Sequence, residues 1–129
     1  KDSMFNTPPV FPIYVTMLNL DWIVNNGGVA AMEKKNAAKA ELLYNEIDKN
    51  PLFVGTVKTE DRSPMNATFR LINTDFDQHF LEACTEAGIV GIKGHRIVGG
   101  FRASMYNAMD IDSVKVLVSV MKDTAQKLG

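Results

Sequence analysis

The sequence predicts an α+β fold: a small, largely antiparallel sheet covered on one face by helices. Three observations lead there. Apolar residues recur at helical spacing near both ends of the chain, the middle alternates apolar and polar residues as strands do, and the strands are grouped between helices. The order that results is helix, helix, strand, strand, helix, strand, strand, helix, with residues 1–129 read as one domain without internal repeats or low-complexity linkers.

Asn6-Thr7-Pro8-Pro9 is rigid and non-helical, because each proline fixes its own φ and pushes the preceding residue toward extended geometry. Pro12 suits a first helical turn, and Ile13, Met17, Leu20 and Val24 then recur at helical spacing until Asn25, Asn26, Gly27 and Gly28 end the helix. Tyr14 and Trp22 lie off this stripe and read as core or interdomain packing. From Val29 to about Asn50 strong helix formers carry Met32, Leu43 and Ile47 along one face, and Pro51 stops the helix. Lys34, Lys35 and Lys39 read as its solvated side, with nothing near them to desolvate and aim a catalytic amine.

Phe53 to Lys58 reads as a short strand and Thr59 to Pro64 as a polar turn. Met65 to Leu71 alternates Met65, Ala67, Phe69 and Leu71 against Asn66, Thr68 and Arg70, the pattern of a half-buried strand. Asn73 and Thr74 are good caps for a helix bearing Phe76, Phe80, Leu81 and Cys84, which Gly88 ends. His79 on this helix has no second metal ligand at suitable spacing and reads as a surface residue. Ile89 to Ile92 and Gly100 to Ser104 complete the strands, and Asp110 or Asp112 can cap a last helix carrying Val114, Leu117, Val118, Met121 and Ala125.

Composition excludes several classes of function. The chain has 129 residues, enough to bury a real core, and a formal net charge of −1. No basic block or aromatic-interleaved basic stripe tracks a polyanion, so nucleic acid is not an expected partner. No apolar run is long enough to span a bilayer, and a soluble, cytoplasmic location is expected. The single cysteine, Cys84, cannot make an internal disulfide or a cysteine-based zinc cluster, and no metal is expected.

Chemistry concentrates in Lys93 to Met109, KGHRIVGGFRASMYNAM, where cationic groups sit on a frame of glycines. Strand alternation puts Arg102 and Ser104 on one face, and Phe101 and Ala103 on the other. A guanidinium among apolar neighbours is costly unless it meets an anion, and its planar fork suits a carboxylate or phosphate. Two readings stay open from the pattern alone: Arg102 binds an anionic ligand, or it pairs with an acid of this chain such as Asp110 or Glu86 while Arg96 is a solvated loop residue.

GHRIVGGFRASMYNAM resembles the C-terminal signature of the phosphoserine aminotransferases, a family of class V enzymes dependent on pyridoxal phosphate. MFNTPPVFPIYV at Met4 to Val15, NGGVAAMEKKNAAKAELLY at Asn26 to Tyr44 and DRSPMNATF at Asp61 to Phe69 are similar to that family's landmarks, in its order. The resemblance implies the small C-terminal domain of a fold-type I transferase, with the cofactor-bearing lysine in an N-terminal domain outside this chain. It implies amino-group transfer between glutamate and 3-phosphohydroxypyruvate, giving O-phosphoserine and 2-oxoglutarate, by a homodimer. Arg102 is then expected to grip the α-carboxylate, His95 and Arg96 the substrate phosphate across the dimer interface, and Asn6 and Thr7 the cofactor phosphate in the partner subunit's site. Val10 departs from the threonine common in the family. No catalytic residue is expected in this chain, and the chain alone is expected to be inactive. A stand-alone anion-binding or regulatory module is the alternative. The His95-Arg96 pair, suited to a phosphorylated substrate, argues against another class V enzyme.

Overall fold

Pro8 and Pro9 lead directly into helix α1, Val10–Asn25, which starts two residues before Pro12 and accommodates that proline in its first turn. The computed structural model describes residue 2 and residues 5–128; Met4, which opens the first matched stretch, lies outside the described residues. The chain divides into two compact units, Lys1–Lys34 and Lys35–Gly129. In the first, α1 has no buried residue, and Phe11 and Val24 are 76% and 70% exposed. Tyr14 and Trp22, read as core or interdomain packing, are exposed in this chain, so neither belongs to a core within it. Gly27 (φ 96°) ends α1 in the left-handed conformation that glycine adopts without penalty.

Helix α2, Gly28–Lys49, begins in the first unit and ends in the second. Its buried positions are Met32, Asn36, Lys39, Ala40, Leu43 and Ile47. Lys39 therefore corrects the expectation that it shares a solvated face with Lys34 and Lys35: those two are exposed, and Lys39 is 1% exposed.

In the second unit the sheet has three antiparallel strands in the order β1 (Phe53–Gly55), β2 (Asn66–Leu71) and β3 (Phe101–Ser104). Phe53 lies opposite Leu71, Phe69 opposite Phe101, and Thr68 opposite Arg102. Alternation works as the sequence indicates: Ala67, Phe69, Leu71, Phe101 and Ala103 are buried, and Arg70 and Arg102 are exposed. The fourth strand expected at Ile89 to Ile92 is not formed. Gly88 and Gly91 (φ 77° and 75°) turn the chain on either side of Ile89 and Val90, and one bridge, Lys93 to Phe101, remains.

Helix α3, Asp77–Glu86, follows a 3-10 turn at Thr74–Phe76; the Asn73 side chain caps that turn by accepting from the Asp75 N–H, whereas α3 itself has Phe76 at its N-cap and no side-chain cap. Helix α4, Ile111–Leu128, begins just after Asp110 and buries Val114, Leu117, Val118, Val120, Met121 and Thr124. One face of the sheet and the apolar sides of α2, α3 and α4 enclose the core. Phe80 is its hinge point: its ring meets Phe53 at 5.1 Å and Phe101 at 4.9 Å, both edge to face, a geometry that adds to area burial.

Cys84 is fully buried in this core, and burial pushes its thiol up to about 11. Only the thiolate reacts at a useful rate. A thiol-directed reagent at about pH 8 is expected to leave Cys84 unmodified in the folded chain and to label it fully in urea; rapid labelling of the folded chain would show that the α3 side of the core opens readily. The polar segment after β1 is tied down separately. Arg62 makes two parallel 2.7 Å bonds to Asp48 and lies 4.6 Å over the Tyr44 ring, and the Arg62 bond holds the Asp48 carboxyl below its usual value.

Candidate functional site

The antiparallel register fixes where Arg102 points. Phe101 and Ala103 fill the core, so Arg102 takes the open face beside Thr68, where it is exposed. No ion pair engages it among the described residues; neither Asp110 nor Glu86 reaches it. Arg102 and Ser104 line a cleft of about 310 Å³ whose other walls are the Ala87 to Ile92 segment, Met105, Met109 and the start of α4. The cleft is largely apolar with one cation at its margin, a combination suited to a small organic anion.

His95 and Arg96 lie on the loop from Lys93 to Gly100, which closes on itself through Gly94 N–H to the Gly100 carbonyl at 2.8 Å. The N–H groups of Val98 and Gly99 both donate to the His95 carbonyl, at 3.0 and 2.8 Å, folding Arg96 to Val98 into a turn. His95 Nδ1 accepts from the Ile97 N–H at 3.3 Å. In neutral imidazole that leaves the proton on Nε2, free to donate outward. His95, Arg96 and Lys93 share a second cavity of about 330 Å³ with Asp75 and Asp77 at the start of α3. None of these groups forms an ion pair among the described residues. Asp77 Oδ1 is buried without a partner, and burial raises its carboxyl.

Arg102 and the His95-Arg96 pair thus line two different cavities of the second unit. Asn6 and Thr7 belong to the first unit, exposed in the segment before α1, and no hydrogen bond engages their side chains among the described residues. The α1 N-terminus beside them carries no acidic residue in its first turn and no side-chain cap. Free donors next to an uncapped helix start fit a phosphate group. Among the described residues no group of three or more His, Cys, Asp or Glu could hold a metal ion, and no helix is long and apolar enough to cross a membrane.

Sequence reasoning missed Lys39 and passed over Lys93. Lys93 carries no signal beyond its neighbours. For Lys39 the signal was present: Met32, Asn36, Lys39, Leu43 and Ile47 follow one another at intervals of three or four residues, a single stripe of a helix.

Residues 1–117 match the family described as aminotransferase class V. The chain belongs to that family. It is similar to the phosphoserine aminotransferase of Flavobacterium psychrophilum, with 58% identity over 127 residues, 98% of this chain and 36% of that protein. The phosphoserine aminotransferase of Bacteroides thetaiotaomicron is 54% identical over 123 residues, 94% of this chain and 35% of that one. Among solved structures, phosphoserine aminotransferase from Bacillus circulans subsp. alkalophilus superposes with a TM-score of 0.92 at 41% identity, over 99% of this chain and 36% of that one. The pyridoxal-phosphate-bound enzyme from Trichomonas vaginalis gives 0.85 at 43%, over 94% and 35%. The α+β architecture read from the sequence is the one found in these class V structures. The chain spans about 36% of the length of the curated relatives it matches.

Proposed function

We propose that this chain is the small-domain part of a pyridoxal-phosphate-dependent aminotransferase that moves an amino group between L-glutamate and 3-phosphohydroxypyruvate. The products are O-phospho-L-serine and 2-oxoglutarate, the reaction serves serine biosynthesis in the cytoplasm, and a homodimer carries it out. The cofactor, when bound, supplies the electron sink for the transfer. This chain contributes anchors: Arg102 for the α-carboxylate common to both amino acids, His95 and Arg96 for the substrate phosphate, and Asn6 and Thr7 for the cofactor phosphate.

The observation that carries this reading is that, among the described residues, no ion pair neutralises the cations of either cleft, although Asp75 and Asp77 line the second. An arginine placed for structure is ordinarily neutralised by a nearby carboxylate; a ligand site keeps its charge for the ligand. Two separate clefts also support a division of labour in a homodimer, with Arg102 serving its own subunit's site, and His95, Arg96, Asn6 and Thr7 serving the partner subunit's. The α2 lysines are poorly placed to be the cofactor-bearing amine, since Lys34 and Lys35 are exposed and Lys39 is sealed from solvent.

The test is substrate selectivity in the full-length enzyme. Replacing His95 or Arg96 with alanine is expected to raise KM for phosphoserine by about 10-fold, the worth of one charge-assisted hydrogen bond, and to leave KM for glutamate nearly unchanged. Equal losses for the two substrates would contradict a phosphate site.

A further inference from the structure

The least expected group in the molecule is the Lys39 ammonium. Nζ donates to the carbonyls of Tyr106, Met105 and Met109 at 2.7, 3.0 and 3.1 Å. An ammonium has three N–H donors, and here each has one carbonyl. No carboxylate lies within ion-pair distance of it among the described residues; Asp110 acts only at longer range, and burial lowers the Lys39 pKa. One turn earlier on α2, Asn36 donates from Nδ2 to Asn107 Oδ1 at 2.7 Å. Helix α2 therefore holds the segment from Met105 to Met109 at four points.

Stability alone does not account for a cation in this place. Burying a charge is costly, and an apolar side chain of similar volume is often the more stable choice. What the ammonium supplies is geometry. Residues 105–110 form neither helix nor strand, so the carbonyls that Lys39 caps have no ladder to join. Met105 directly follows β3 and is gripped on its other side by its own N–H, which donates to the Met65 carbonyl at 2.7 Å. Met105 and Met109 line the same cleft as Arg102.

We propose that Lys39 is a positioning residue for the amino-group transfer: by fixing Met105 to Met109 it sets the exit of β3, and with it the aim of Arg102 and the wall of the carboxylate cleft. This inference rests on the carboxylate role proposed for Arg102. It also makes Lys39 unfit as a cofactor-bearing amine, because all three of its protons are committed and no face of it reaches solvent.

The experiment is a double-mutant cycle in the full-length enzyme with Lys39→Met, Arg102→Lys and the pair, each checked for folding by circular dichroism. Lys39→Met is expected to raise KM for both glutamate and phosphoserine by about 10-fold with a much smaller change in kcat. Because Lys39 acts through Arg102, the double variant is expected to be no worse in KM than Arg102→Lys alone. A folded Lys39→Met enzyme with unchanged KM values, or with losses that add fully to those of Arg102→Lys, overturns the proposal. Unchanged KM values in Arg102→Lys itself overturn the carboxylate reading and this inference together, so the two failures are told apart. If Lys39→Met does not fold, Asn36→Ala loosens the same segment at one point. It is expected to raise both KM values by roughly 3-fold, and no change in either overturns the proposal.

Discussion

Replacing Arg102 with lysine in the full-length enzyme is expected to raise KM for glutamate and phosphoserine together, by roughly 10- to 100-fold, corresponding to the 1.5–3 kcal/mol that a hydrogen bond to a charged group contributes. The charge is kept, so the loss is geometric. Guanidinium presents two parallel N–H groups to a carboxylate, and an ammonium on a flexible stem presents one at a time. Folding is not at stake, because Arg102 is exposed on the open face of β3 and engages no acid among the described residues; substitutions at such positions stay within about 0.5 kcal/mol. Measuring both substrates decides the assignment. If both KM values stay unchanged, Arg102 is not in the site, and a rise for phosphoserine alone moves it to the phosphate.

The sheet was legible because its signal is local. Ala67, Phe69 and Leu71 alternate with polar neighbours, and any strand there must bury one set. Arg102 could be assigned to a face for the same reason. Ile89 to Ile92 failed because Gly88 before that segment and Gly91 within it read equally well as strand punctuation or as turns, and backbone conformation decided for turns. Lys39 failed because charge was allowed to outvote periodicity. Its three acceptors lie 66, 67 and 70 residues further along the chain, and no local rule anticipates an ammonium being capped there. The separation of the two clefts was illegible on similar grounds: one depends on how Ala87 to Ile92 meets α4, the other on how the Lys93 to Gly100 loop meets α3. Roles for Asn6 and Thr7 came from resemblance alone, since two small polar residues before a helix are ordinary in any sequence.

The glycine frame of the loop gives the second large effect, Gly94→Ala. A methyl group on Gly94 falls 2.2 Å from the Gly99 carbonyl oxygen and 2.8 Å from that of Gly100. Both obstacles are backbone, so no side chain can swing aside. The loop has to open, breaking the Gly94 to Gly100 hydrogen bond and displacing His95 and Arg96 from the second cavity. We expect a stability loss at or beyond the upper end of the roughly 1–3 kcal/mol typical of overpacking, read from the urea midpoint of this chain. In the full-length enzyme we expect phosphoserine binding to weaken by at least about 10-fold while glutamate is little affected, since Arg102 lies in the other cleft. Gly99→Ala is the control. Gly99 has φ 73° and open space where a methyl would go, so alanine there pays the left-handed penalty of about 1–2 kcal/mol without colliding with the loop. Close approach of two backbone segments, not a left-handed φ, is what excludes a side chain at position 94. Equal effects of the two substitutions on phosphoserine KM would show that the loop needs only flexible glycines, and that the contact between Gly94 and Gly99 does not hold the His95-Arg96 pair in place.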